Sequence, residues 1–476
     1  MTGDVLDSYA RRLVSRRDAL KGLGAAGVMM TSVGGLLSGC HRKPDPNAKN
    51  VLLIIADDMR YDHLQFMPNV QALIADEGRT FTQARCNVPL CQPSRVGLLT
   101  GQMSKHNGEL SIGFFGTKLE DHENTLARWM WEAGYHCGLF GKYVNFTDSW
   151  GGIDAPEGYR TWRELIGETS AYEYRVHLNT GTATVTDRYS TDYLADEALA
   201  FLGSSPKPVL CMVTPTQPHA PFRPRTDLAD DWLDYVLQIV EDPDISDKPS
   251  WIQQLPALTD ADRAIIRADM IGRLQELSAV DDMVGRILTG MDPAVLADTV
   301  VIFTSDNGVH QGEHRRTSPG FKSGPYEVCL HVPLLVRGPG FEPGPDITVP
   351  SLAFQDITAT ILDVGHATAG LPHQTGTSLV ELCQNPGAHR ERLLLHEVGA
   401  GWEATGDGIT TGPDSSYGFR KLYRYPSIRK NPAGPFVYEA YDMDTDPDEH
   451  LNWADDPARR SERDALEAEL VALRTS

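Results

Sequence analysis

A chain of 476 residues is too long for one ordinary core and suits a large domain with a smaller companion. Hydrophobic residues make up 41% and charged residues 23%, a globular composition that excludes a disordered or fibrous chain. Lys and Arg number 43 against 65 Asp and Glu, a formal charge of -22, whereas a sequence-independent nucleic-acid binder needs a basic surface to neutralise phosphates. Nucleic acid is therefore excluded as a partner, and seven Cys are too few for a disulfide scaffold.

Residues 1–39 read as a targeting segment. Ser15-Arg16-Arg17-Asp18-Ala19-Leu20-Lys21 precede a mild apolar run over 22–37, shorter than the roughly 20 residues that span a bilayer. The segment resembles a bacterial twin-arginine export signal, with Ala19 where that pattern often has Phe. It runs into Leu37-Ser38-Gly39-Cys40, similar to a lipoprotein-processing box in which Cys40 receives the lipid. This predicts export, with a lipid anchor as the membrane contact, at the cell envelope or in the periplasmic or extracellular space. The leader holds five basic and three acidic residues, so its removal deepens the acidity. Residues 40–49, with Pro44 and Pro46, form a tether.

Asn50–Ala56 is a continuous aliphatic run of strand length, as in a central parallel strand covered on both faces. Further strand-like runs lie at 136–144, 208–214, Thr299–Ser305 and 332–336, with helical patterns at 190–202 and Asp260–Gly290 between them. Strands alternating with helices predict a three-layer αβα sandwich with a mostly parallel central sheet over 50–386. Over 387–476 the pattern changes to short strands at 392–398, 419–425 and 437–443 and a helix at 457–473, a smaller antiparallel sheet with a covering helix.

Ligands of open α/β sheets bind beyond the carboxyl ends of strands. The first strand ends in Asp57-Asp58, adjacent acids that repel each other unless a hard cation neutralises them. Thr299–Ser305 ends in Asp306-Asn307-Gly308, two more oxygen donors and a tight turn. Asp57, Asp58, Asp306 and Asn307 together suit Ca²⁺, or Mg²⁺ in its place, and offer no soft ligand for zinc. Cys91-Gln92-Pro93-Ser94-Arg95 reads as a turn into a helix, where backbone N–H groups favour an anion and Arg95 adds a fixed charge. Lys142 and His219 follow strands on the same side, and His310 and Lys322 follow Asn307.

In combination these residues resemble the formylglycine-dependent sulfatase family of the alkaline-phosphatase-like superfamily. Cys91-Gln92-Pro93-Ser94-Arg95 is similar to its Cys-x-Pro-Ser-Arg motif and continues to Thr100-Gly101. The acid pair, the Cys motif, Gly141-Lys142, Pro218-His219-Ala220-Pro221, Ser305-Asp306-Asn307-Gly308 and Lys322 come in family order. Gly141-Lys142-Tyr143-Val144-Asn145 and Asn307-Gly308-Val309-His310 look closest to N-acetylglucosamine-6-sulfatase-like members. Where many sulfatases carry a His two residues after the Lys, this chain has Val144.

The resemblance implies a sulfuric ester hydrolase acting on a sulfated sugar or glycan. It implies that a formylglycine-generating or equivalent maturation enzyme oxidises Cys91 to Cα-formylglycine, whose hydrate attacks sulfur beside a divalent metal. Modified Cys91 joins Asp57, Asp58, Asp306 and Asn307 around that metal. Arg95, Lys142 and Lys322 stabilise charge on the transferring group. His219 or His310 protonates the departing alcohol, and Asp306 accepts the attacking proton.

One rival reading is a phosphodiesterase or phosphonate monoester hydrolase of the same superfamily, where the second strand-end Asp usually pairs with His rather than Asn307. Another is a non-catalytic, lipid-anchored glycan-binding protein, which would need a broken Cys motif or metal set. Loops over 151–186, 221–256 and 398–417 are expected to set specificity. Among the remaining cysteines, Cys137 and Cys211 read as buried thiols, and at most one pair of Cys86, Cys329 and Cys383 bridges. Mass spectrometry of active, exported protein is expected to find an aldehyde at residue 91; an unmodified thiol there in active protein refutes the mechanism.

Overall fold

The aliphatic run Asn50–Ala56 forms strand β1, and all seven of its residues are buried because helices cover both faces of its sheet. The structure, a computed structural model, describes residues 43–112, 124–145, 155–166, 171–185, 187–239, 241–242, 244–316, 321–399, 405–426 and 435–476. The expected export leader and Cys40 lie outside the described residues. The other strands are β2 (Gly78–Thr80), β3 (Ala84–Arg85), β4 (His136–Gly141), β5 (Tyr159–Ile166), β6 (Tyr174–Leu178), β7 (Thr182–Val185), β8 (Val209–Thr214), β9 (Thr299–Ser305), β10 (Leu334–Arg337), β11 (Ser351–Leu352), β12 (Leu394–Val398), β13 (Gly406–Thr410), β14 (Arg420–Pro426) and β15 (Phe436–Asp442). The helices used below are α1 (Cys91–Thr100), α2 (Leu126–Glu132), α3 (Ser190–Ser204), α4 (Asp260–Gly290), α5 (Glu327–Leu330), α6 (Ala353–Val364) and α7 (Arg460–Thr475).

Nine strands form a mixed sheet in the order β2-β10-β9-β1-β8-β4-β5-β6-β7. Its five central members run parallel, as expected, with Ala56 level with Ser305 and Gly141 level with Thr214. Both flanks are antiparallel. Alternate residues of β1 face opposite layers. Val51, Leu53 and Ile55 pack with Leu98 of α1, Met130 of α2 and Ile357 of α6, whereas Leu52 and Ile54 pack with Leu194 of α3 and Leu274 and Leu277 of α4. Each such side chain contributes about 1.5–3 kcal/mol on burial. Helix α4 begins at a capping box in which Thr259 and Asp262 satisfy each other's backbone N–H.

Parallel strands bring their carboxyl ends to one edge, and Asp57, Lys142 and Asp306 lie there because each follows such an end directly. The described chain starts at the other edge, where the Asn50 N–H donates to Asp298 O and the Lys49 N–H to Val364 O.

Two of the expected specificity loops contain strands instead. Residues 151–186 include β5, β6 and β7, and 398–417 include β13. The reason is compositional. β5 has charged Arg160, Arg163 and Glu164 among its apolar residues, and β13 has Gly406 and Gly408, so neither shows an aliphatic run or a clean alternation.

The small sheet runs β12-β13-β14-β15, all antiparallel. On one face Leu395, Ile409, Leu422 and Ala440, level with one another across the sheet, pack on Leu466 and Leu470 of α7. On the other, Tyr423, Tyr425 and Tyr441 join the main core. His396 of β12 also points inward, its Nδ1 3.1 Å from Cys86 O and its Nε2 3.0 Å from Thr410 Oγ1. Burial, followed by Lys421 and Arg85, pushes its pKa down to about 3. A folded value below the unfolded value of about 6.5 means that this stabilisation is complete above about pH 6.5 and is lost as pH falls. Urea titrations at successive pH values are expected to show an acid limb below pH 6.5, which His396→Gln flattens by up to about 1.4 kcal/mol per pH unit.

Candidate active site

Three carboxylates meet beyond the ends of β1 and β9. The Asp57 N–H donates to Gln217 O at 3.1 Å. Asp58 adopts a left-handed backbone (φ 67°), a conformation that disfavours an L residue by roughly 1–2 kcal/mol. Both of its neighbours hold it there. Its N–H donates to Asp306 Oδ1 at 3.1 Å, and its carbonyl accepts from Arg273 Nη1 of α4 at 3.1 Å. The same guanidinium donates to Pro218 O at 3.3 Å, so one buried arginine ties the Asp58 turn to the loop carrying His219. The next residue, Met59, donates its N–H to Ser305 Oγ at 2.9 Å. Asn307 then reaches across the two turns, its Nδ2 donating to Asp58 Oδ1 at 2.7 Å.

Cys91 opens α1, where the first helical N–H groups lack intrahelical partners, and its Sγ lies within 4.8 Å of ligand oxygens of Asp57 and Asp306. Arg95 lies one turn on. Its Nε donates to Asp306 Oδ2 at 3.0 Å, its Nη2 lies 3.4 Å from Asp57 Oδ2, and its Nη1 donates to Lys142 O at 2.7 Å. Lys142 places Nζ 2.5 Å from Asp57 Oδ2. Its backbone is pinned by Thr214, which accepts from the Lys142 N–H and donates its hydroxyl to the Lys142 carbonyl, each at 2.7 Å. Lys322 places Nζ 2.5 Å from Asp58 Oδ1 and 3.4 Å from Cys91 Sγ. At the rim, His219 Nδ1 lies 2.6 Å from Ala220 O and Nε2 lies 3.6 Å from Asp58 Oδ2. The His219 side chain is 19% exposed, whereas those of Asp57, Asp58 and Asp306 are 0–1%.

These contacts gather nine of the expected site residues: Asp57, Asp58, Cys91, Arg95, Lys142, His219, Asp306, Asn307 and Lys322. His310 belongs to an adjoining aromatic cluster. Its ring centroid lies 5.7 Å from Phe321 and 5.8 Å from Tyr326, and its Nδ1 is 3.3 Å from Glu313 O. Sequence reasoning missed Arg273. The available signal was a run of charged residues on an otherwise apolar helix face, since Asp269, Arg273 and Glu276 are buried beside Met270, Leu274 and Leu277.

Electrostatics follow from crowding. Burial opposes ionisation of Asp57, but Lys142, His219, Arg95 and Lys322 together hold its carboxyl below the ordinary range. Asp58 is likewise held down, by Lys322 and His219 against burial. Asp306 moves the other way, raised by burial and by the charge of Asp57. Burial also raises the Cys91 thiol, against the pull of Lys142 and Lys322. As a thiol, Cys91 is protonated near neutral pH and is a weak nucleophile.

The Sulfatase family model matches residues 49–367. The chain belongs to the sulfatase family. Among its sulfatase relatives it is 30% identical over 70% of its length to the extracellular sulfatase SULF-1 homolog of Drosophila melanogaster. It is 27% identical over 79% of its length, and 72% of the relative, to the N-acetylglucosamine-6-sulfatase of Homo sapiens. It spans 31% of the Drosophila protein and 49% of a Caenorhabditis elegans homolog, so those relatives are much longer. The fold resembles that of a protein solved with its substrate D-glucosamine-2-N,6-O-disulfate, at TM-score 0.69 and 21% identity over 90% of this chain and 98% of that one. It also resembles a phosphonate monoester hydrolase of Silicibacter pomeroyi, at TM-score 0.68 and 19% identity over 90% and 95% of the two chains.

Sulfatases generally use a formylglycine and a divalent metal, and the residues present fit a hard cation. Asp57 Oδ1 and Asn307 Oδ1 are buried acceptors without a hydrogen-bond donor. Ligand atoms of Asp57, Cys91 and Asp306 lie within 4.8 Å of one another, as do those of Asp57, Asp58 and His219. Buried oxygens without donors are costly, and a divalent cation satisfies them while relieving the repulsion among the acids. Calcium chloride added to chelator-treated protein is expected to raise the melting temperature by several degrees; Asn307→Ala is expected to cut that rise by at least half. An equal rise in the variant refutes the assignment of Asn307 to the cation.

Proposed function

We propose that this sulfatase is an exported sulfuric ester hydrolase that removes sulfate from a sulfated sugar, using a formylglycine made from Cys91 and a bound divalent metal. What carries the reading is the convergence of Cys91, Arg95, Lys142, Lys322 and three carboxylates on one strand edge with His219 at the rim. Asp57, Asp58, Asp306 and Asn307, with modified Cys91, would hold the metal. Ca²⁺ suits these oxygen donors, and Mg²⁺ takes the same ligand class. When bound, the metal supplies Lewis acidity toward a sulfate oxygen. Formed from Cys91, a hydrated formylglycine would supply two hydroxyls, one as nucleophile toward sulfur and one whose proton loss would release sulfate and return the aldehyde.

The chain's own groups do the rest. Arg95, Lys142 and Lys322 balance the charge that builds on the sulfate oxygens as the sulfur–oxygen ester bond breaks. Asp306 would accept the attacking hydroxyl's proton. His219 gives its Nε2 proton to the departing alcohol oxygen. The Ala220 carbonyl holds the other ring nitrogen as a donor, so Nε2 is the position that gains and loses a proton. His219 is preferred to His310 because it lies at the rim beside Asp58 rather than among buried rings.

The substrate reading, a 6-O-sulfated glucosamine unit, rests on what the human relative is named for and on the ligand of the similar solved structure. Asn307 after Asp306 favours sulfate over phosphonate esters. Export rests on the leader and on the names of extracellular relatives; no helix among the described residues is long and apolar enough to cross a membrane. A lipid at Cys40 would then hold the protein to the envelope. Cys91 is wholly buried, so the maturation enzyme must act before folding is complete.

A panel of sulfated monosaccharides, oligosaccharides and an aryl sulfate tests the reading. Turnover of 6-O-sulfated glucosamine sugars is expected, with Cys91→Ala reducing it by about 10⁴-fold or more. Turnover of the aryl ester alone refutes the sugar assignment, and glycan retention without turnover in either protein identifies a binding protein.

A further inference from the structure

Lys322 is the site cation that touches both a carboxylate and the nucleophile position, yet it stands on an irregular segment before α5 rather than on a strand. Four rotatable bonds make a lysine only as well placed as the backbone beneath it. That backbone is held at several points. The His310 N–H donates to Phe321 O at 2.9 Å, and the Ser323 N–H donates to Pro89 O at 3.1 Å from a left-handed conformation (φ 76°).

The firmest hold comes from the small sheet. Tyr326, fully buried, donates its hydroxyl to Glu439 Oε2 of β15 at 2.8 Å. The same oxygen accepts the Tyr441 hydroxyl at 2.5 Å. The next residue, Glu327, donates its N–H to Glu449 Oε2 at 2.6 Å. Its carboxylate lies 2.7 Å from Arg85 and 2.9 Å from Lys421 of β14, and Lys421 lies 2.6 Å from Glu449. Arg85 and Lys421 therefore balance Glu327 and Glu449. Glu439 has the Lys248 ammonium nearby, 3.3 Å from the Tyr441 hydroxyl. Buried ion pairs of this kind add little stability over well-packed apolar residues, but they fix one geometry. The strand pattern directs them at the loop. Lys421, Glu439 and Tyr441 alternate with Leu422 and Ala440, which face α7.

We propose that Glu439 is a positioning residue for Lys322, acting through the Tyr326 hydroxyl, so that the small sheet sets where the Lys322 ammonium stands over residue 91. The inference rests on the reading of Lys322 given above. Its function is geometric: the hydroxyl-to-carboxylate contact fixes the end of a five-residue link, Lys322 to Tyr326, whose other end carries the ammonium.

Steady-state kinetics on a double-mutant cycle tests it. Tyr326→Phe removes one oxygen and keeps the ring against His314 (centroids 3.7 Å apart). It is expected to lower kcat about tenfold with KM within about twofold. In a Lys322→Met background the same change is expected to cost nothing further. Glu439→Leu should match Tyr326→Phe and be non-additive with it, and Glu439→Gln, which keeps an acceptor oxygen, should recover most of the loss.

Wild-type kcat in Tyr326→Phe overturns the proposal, as does an equal fold-loss with and without Lys322. A weakened calcium response in Tyr326→Phe, read by melting temperature, also overturns it by placing the effect on the cation site. Wild-type turnover by Lys322→Met removes the reading of Lys322 itself, and the inference with it. Should Glu439→Leu not fold, Tyr326→Phe alone decides.

Discussion

Three acids crowded around Asp57, almost without solvent, are the constraint that the rest of this structure answers. Carboxylates placed so closely repel strongly in a medium of low dielectric, and burial adds a desolvation cost to each. Arg95, Lys142 and Lys322 lower that cost by standing on Asp306, Asp57 and Asp58 respectively. Their own backbones are then fixed by Thr214, by the α1 helix and by the small sheet. The demand for charge balance at one strand edge thus propagates outward through both sheets.

The same crowding explains why the edge suits an anion despite the acidity of the whole chain. Surface charge is screened within about 10 Å in ordinary salt, whereas charges buried in the cleft act on one another almost unscreened. The orphaned oxygens of Asp57 and Asn307 point to a further positive charge. With it, the cleft becomes net positive where a sulfate would enter.

Much of this was legible in the chain because the informative residues sit directly after aliphatic runs. Asp57-Asp58, Lys142 and Asp306-Asn307 each follow a buried strand whose apolar run announces a central position, so their convergence followed from the rule that parallel strands end together. Cys91 stood out through its motif, and the structure gives it the helix start that the turn implied. Other features carry no local mark. Arg273 acts through two backbone carbonyls 215 and 55 residues away, and only folding brings Asp58 and Pro218 to it. Glu439 and Tyr326 are 113 residues apart, and neither a glutamate in a tyrosine-rich strand nor a tyrosine before a short helix signals the other. Strands β5, β6 and β7 were hidden because they mix polar or charged residues with apolar ones. His310 drew attention through its distance from Asn307 in the chain, but the turn between them carries its ring into an aromatic cluster.

The direction of β1 has a practical corollary. The strand enters at Asn50 and reaches the acids seven residues later, so its entry and the edge that carries the acids lie at opposite ends of the sheet, about 20–25 Å apart. A surface, bead or fused partner coupled ahead of residue 43 grips the molecule from behind. Immobilised that way, it turns the edge carrying Asp57 and Asp306 away from the support.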